Sequence, residues 1–185
     1  METRLKESLW EGEEIRWSGR PKPFQLMDKT MKNSIILTWI VSACVLAAIL
    51  IFLIPGLMSG ARSTSDAIIL LVITLFLPGI LSARPFMDKK CLEERTLYAI
   101  TNFRIIAVVK DEVMYLPIGK GMKVALEQQE DGCGNVRFGE LVGKPASKSR
   151  AHAVLGLRAD DDKNDMCGLL FYHVDQPDKV MSYLA

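Results

Sequence analysis

Two long stretches without a charged residue constrain this chain more than any other feature. Asn33–Ala61 runs for 29 residues and Ala67–Ala83 for 17, with only Arg62 and Asp66 charged between them. In Ile35–Leu57 fourteen positions are Ile, Leu, Val or Phe. Near the centre of a spanning helix these favour insertion by roughly −4 to −8 kcal/mol in sum, and no charge opposes them. About 20 residues cross the hydrocarbon core, so Ser34–Leu57 is long enough to span with some tilt. Ala67–Ala83 holds eleven such residues, but as a helix it covers only about 26 Å, the low end for a span. Pro78 removes an amide donor and crowds the carbonyl of Thr74, which predicts a kink. A re-entrant segment is the rival reading of this second stretch.

The expectation is a membrane hairpin of two helices over 33–83. It separates an N-terminal segment, 1–32, from a soluble domain, 84–185. Arg20, Lys22, Lys29 and Lys32 precede the first helix, and Arg84, Lys89, Lys90 and Arg95 follow the second. The connecting loop has only Arg62, so the cation bias puts both termini in the cytoplasm of a bacterial plasma membrane. A cleaved signal does not fit a 32-residue lead with six acidic residues. Val41-Ser42-Ala43-Cys44 resembles a lipoprotein processing box, but the apolar run continues for thirteen residues past Cys44. The whole chain carries 23 Lys+Arg against 22 Asp+Glu. That balance argues against nucleic acid as a partner.

From residue 84 onward the pattern changes to short strands with turn signals between them. Leu97–Thr101 alternates, and Ile105–Val109 is apolar throughout. Val113–Leu116, Lys123–Gln128, Val136 with Phe138, Ala153–Leu157 and Met166–Tyr172 follow. About seven strands at these spacings predict a sandwich or barrel. Glu14–Ser18 also alternates and is a candidate edge strand on the same domain. Asp175 or Gln176 can cap a last helix with Pro177 in its first turn. Val180, Met181 and Leu184 lie on one side of that helix. It is too short to hold alone and must pack on the strands.

Tyr98-Ala99-Ile100-Thr101-Asn102-Phe103-Arg104-Ile105 resembles the opening strand-and-turn motif of bacterial pleckstrin-homology-like domain membrane proteins. Gly12-Glu13-Glu14-Ile15-Arg16-Trp17-Ser18-Gly19-Arg20-Pro21 resembles the segment that precedes their hairpin. Gly134–Gly139 and Phe171–Val180 are similar to their middle strand and strand-to-helix passage. The resemblance covers nearly the whole chain. It implies a mainly-β pleckstrin-homology-like barrel with a C-terminal helix beside the two-helix hairpin. The terminal helix is shorter than that family's usual cap, and the loop Gly139–Arg150 is long and basic.

Signals for chemistry are weak. Cys44, Cys91, Cys133 and Cys167 form no CxxC pair, and neither His152 nor His173 lies at a metal-ligand spacing from a cysteine. Gly119-Lys120-Gly121 lacks phosphate-loop spacing. Asp160-Asp161-Asp162 with Asp165 lacks the glycine and glutamate of a calcium loop. No catalytic residue, metal or cofactor is expected, so the chain reads as no enzyme. The rival is a membrane enzyme using Cys91, Cys133 or His173. Arg84, Lys89, Lys90, Lys120, Lys123, Lys144, Lys148 and Arg150 are the candidates for contact with anionic lipid or a partner.

The expected role is a membrane-anchored interaction module, a scaffold or accessory protein that tethers a protein partner at the inner leaflet. An exposed strand edge is the expected contact surface. An anionic-lipid sensor and a small subunit of a transport or secretion complex are the alternatives. Ala43, Ala47, Gly79 and Ala83 are small enough for close helix packing, within the hairpin or between copies in a homo-oligomer.

Overall fold

The alternating stretches after residue 95 fold as strands. The computed structural model describes residues 1–27, 32–59, 63–129, 131–143, 157–158 and 166–184. The chain forms two compact units: Met1–Gln25 with Asp88–Ala185, and Leu26–Met87.

In the first unit, β2 (Thr96–Thr101), β3 (Arg104–Val109) and β4 (Glu112–Pro117) make an antiparallel meander. Lys110, at φ 59°, turns β3 into β4. The N-terminal β1 (Ile15–Gly19) joins the other side of β2, with Trp17 opposite Ile100 and Gly19 opposite Tyr98. A second sheet has the order β5-β6-β8-β7. Its strands are β5 (Val124–Gln128), β6 (Cys133–Gly139), β7 (Leu157–Arg158) and β8 (Met166–Asp175). A helix over Pro177–Ser182 ends the described chain, and we label it α4.

The main core lies between the inner faces. Tyr98, Ile100, Ile105 and Ala107 meet Val136, Phe138, Leu169 and Phe171. Tyr98 stacks on Phe171 at 4.4 Å between ring centroids. Val180 of α4 is buried in the same cluster, with Met181 and Leu184 packed against it. Burial of each such side chain contributes roughly 1.5–3 kcal/mol.

β2 is buried on both faces rather than one. A short helix that the sequence reading did not find, α1 (Glu2–Glu7), puts Leu5 against Leu97, Ala99, Ile106 and Val108. On the second sheet Phe24, Leu92 and Leu141 cover Leu170 and Tyr172.

The second unit holds α2 (Lys32–Met58) and most of α3 (Thr64–Arg95). The Trp39 indole N–H donates to the Ser82 carbonyl at 3.3 Å, and its ring stacks on Phe86. Ala43, Ala47, Gly79 and Ala83 are all exposed.

Two parts of the expected fold class are corrected. Among the described residues one helix, Ile35–Gly56, is long and apolar enough to cross a bilayer. The expected two-span hairpin is therefore not shown among the described residues. In α3 the uncharged stretch stops at 17 residues, and the same helix continues from Arg84 through Asp88, Lys89, Lys90, Glu93 and Glu94 to Arg95. Nor do the described strands close into one barrel. They form two separate four-stranded sheets. β4 pairs with β3 and β5 with β6, and the glycine turn at 119–121 carries the chain from one sheet to the other without extending either ladder. Except for Leu157, the predicted strand over 153–157 lies outside the described residues. So do His152 and the acidic turn over 160–165.

Candidate functional site

The turn Thr101–Arg104 and the segment Gly12–Glu14 lock together through a buried ion pair. Arg104 donates through Nε to Glu13 Oε1 at 2.8 Å and through a terminal nitrogen to Oε2 at 2.7 Å. The side chains are 2% and 0% exposed. Arg104 also donates to the Ser8 carbonyl. Its guanidinium sits over the rings of Trp10 (3.9 Å) and Tyr115 (4.6 Å). Thr101 Oγ1 donates to Glu13 at 2.7 Å, and the Trp10 amide does so at 2.8 Å. Asn102 closes the outer side: its amide Nδ2 donates to the Gly12 carbonyl, and its Oδ1 accepts from the Glu14 N–H.

Burial alone would raise the Glu13 carboxyl. The hydrogen bonds from Arg104, the Trp10 amide and Thr101, together with the Arg104 charge, overcome that and hold it below the usual carboxylate range. The arrangement is a structural clamp. It fastens the chain that precedes the apolar helices to the chain that follows them.

A second cluster lies at the β5–β6 turn. Asp131, Cys133 and His173 bring one ligating atom each within 4.8 Å of the others. His173 is 2% exposed and holds φ 49°, in the left-handed region. Its N–H donates to Asn135 Oδ1 and its carbonyl accepts from the Lys22 N–H. Its Nδ1 lies 3.1 Å from Gln129 Oε1, and its Nε2 lies 3.3 Å from Asp131 Oδ2. Burial pushes the Cys133 thiol up, and the charges of Asp131 and Asp175 push it further against Lys22.

Cys91 is buried in the main core, and its thiol is raised chiefly by that burial. Burial likewise pushes the Tyr98 phenol well above its usual value, and its oxygen accepts from the Tyr172 N–H.

The predicted contact cations fall on separate elements. Lys89 and Lys90 lie near the end of α3, each within 4.0 Å of the glutamate one turn on, Glu93 and Glu94. Lys89 also lies 5.8 Å over the Phe24 ring. Lys120 and Lys123 are exposed in the β4–β5 connection, and Arg84 is exposed on α3. Lys144, Lys148 and Arg150 lie outside the described residues. A cleft of about 420 Å³ opens beside α4, lined by Gly19, Arg20, Lys22, Gln176 and Lys179 among others. Two of its cations are matched locally, Arg20 by Glu2 at 3.0 Å and Lys22 by Asp175 at 3.5 Å.

Sequence reasoning placed Asn102 and Thr101 in a tight turn but missed Glu13 as the partner of Arg104. It also separated His173 from Cys133. Alternation marks β6 and β8 as strands, but the antiparallel register that brings Cys133 near His173 is not readable from it. No known protein family, curated protein or solved structure matches this chain.

Proposed function

We propose that this chain is a membrane-anchored interaction module. The unit Leu26–Met87 embeds in a bilayer, and the β unit holds a protein partner at its surface. One observation carries the reading. The 22-residue helix Ile35–Gly56 is apolar enough for lipid, and only 11% of its most apolar stretch is buried. A core helix of a water-soluble domain hides such a surface; this one presents Leu37, Ile40, Ile51 and Phe52, each more than half exposed. The neighbouring α3 adds Ile68, Ile69, Val72 and Phe76, also more than half exposed.

The chain leaves the β unit at Gln25 and rejoins it at Asp88. The clamp and the β1–β2 ladder hold the chain on either side of the apolar unit together within the β unit. The flanking cations favour the cytoplasmic side of a bacterial inner membrane. Anchoring raises the effective concentration of the β unit toward other membrane-bound proteins. Its contact surface is the outer edge of β1, where an extended segment can add as a strand. The likeness to bacterial pleckstrin-homology-like membrane proteins belongs to the same proposal: two of the segments that carry it, Gly12–Pro21 and Tyr98–Ile105, touch in space. Lipid sensing is the weaker reading, because Lys89 and Lys90 face their own glutamates.

The test is a photocrosslinking amino acid placed at Ser18 on β1, and separately at Lys110 on the β3–β4 turn, in cells with native membranes. A discrete adduct from Ser18 and none from Lys110 is expected. Equal adducts from both positions, or none from either, would remove β1 as the docking edge.

A further inference from the structure

The β5–β6 turn and the end of β8 converge three different ligating groups. We propose that Asp131, Cys133 and His173 form a binding site for a divalent cation of the zinc class. This stands apart from the membrane reading, since all three residues belong to the β unit.

The donor set is one thiolate, one imidazole and one carboxylate, which are the ligand types zinc takes in tetrahedral sites. Two nitrogen or oxygen ligands at about 2.05 Å from a tetrahedral ion lie about 3.3 Å apart. His173 Nε2 and Asp131 Oδ2 are separated by 3.3 Å. The three ligand atoms all lie within 4.8 Å of one another. Closing the thiolate onto the ion asks for a shift of at most about 1.3 Å, given a zinc–sulfur bond of about 2.3 Å.

The surroundings orient these groups. Gln129 Oε1 accepts from His173 Nδ1, which makes Nε2, the nitrogen beside Asp131, the one placed to ligate. The Cys133 amide donates to Asp131 Oδ1 at 3.1 Å, which leaves Oδ2 as the carboxylate atom near the imidazole. The turn itself is closed by Gln129 N–H to the Cys133 carbonyl at 2.8 Å, with Gly132 at φ 79°. The imidazole is held by a backbone in a sparsely populated conformation, bonded to Asn135 and Lys22. Asp131 is exposed, so water can complete the fourth position. The competing arrangement is a doubly protonated imidazole paired with Asp131 and Gln129, with no metal.

The full chain in detergent, kept reduced, is titrated with Co²⁺ alone and then with Zn²⁺ alone. Expected are one Co²⁺ per chain, a thiolate-to-cobalt charge-transfer band with the strong visible bands of a tetrahedral site, and displacement by Zn²⁺. Cys133→Ser removes the charge-transfer band. Gln129→Leu weakens binding by about 10–100-fold, the usual effect of losing an orienting partner. Asp131→Asn, at an exposed position, weakens it at least as much while the fold stays intact. Absence of stoichiometric binding overturns the site, as does a charge-transfer band that survives Cys133→Ser and so belongs to another cysteine. A His173 ring that stays doubly protonated by ¹⁵N NMR in excess Zn²⁺ does the same and assigns the cluster to a plain ion pair.

Discussion

Glu13 and Arg104 stand 91 positions apart in the chain and meet with almost no exposed surface. Removing one partner of such a pair leaves a buried charge uncompensated, at a cost of about 3–5 kcal/mol. Arg104→Met alone is therefore expected to lower the unfolding free energy by that amount in denaturant titrations. Replacing both residues with apolar ones of similar volume should recover much of the loss, because the pair itself contributes little net stability once its desolvation is counted. The pair also sets a pH dependence. The Glu13 carboxyl is depressed in the folded chain, so its contribution is present above the unfolded value near 4.5 and is lost as pH falls through the lower folded value. Melting temperature should drop below about pH 4.5, and Glu13→Gln should flatten that part of the profile. An unchanged acid limb in Glu13→Gln would remove Glu13 as its source.

At the scale of elements, the crossing of β6 and β8 depends on a backbone position that admits no side chain. Gly139 has φ 62°, and a Cβ there would lie 2.5 Å from the Cys167 carbonyl oxygen. Gly121 has φ 88° and open space around it. Left-handed backbone alone costs about 1–2 kcal/mol for a side-chain-bearing residue. Gly121→Ala should cost about that, and Gly139→Ala clearly more, measured by the same denaturant titration. Val180 tests α4 similarly: it is 1% exposed, and Val180→Ala should cost roughly 1.5–3 kcal/mol.

Most strands were legible because their turns carry local chemistry: Lys110-Asp111-Glu112, Gly119-Lys120-Gly121 and the glycines around residue 133 punctuate apolar alternation. Even β1 showed through the alternation of Ile15 and Trp17. The helix α1 did not, since six residues with one buried Leu5 give too little periodicity to read. The clamp and the cation cluster were hidden for another reason. Their members are joined by strand register, not by spacing: Cys133 faces Asp175 across the β6–β8 ladder, which carries His173 alongside. The stretch in α3 was read as a span because its 17 uncharged residues were judged apart from the charged turns that complete the same helix.

For the whole molecule, the division of labour follows from composition. Charges concentrate in the β unit, while exposed Leu, Ile and Phe concentrate in Leu26–Met87. Cell membranes washed in alkaline carbonate should retain the full chain, and detergent should release it. The proposed anchoring puts this apolar unit in lipid and the β unit on the cytoplasmic face. Protease added to sealed right-side-out vesicles, compared with sealed inverted vesicles, tests it most directly with a tag at the C-terminus. The tag should survive in the first preparation and be lost in the second. Loss of the tag from right-side-out vesicles, or recovery of the intact chain in the carbonate wash, would contradict it.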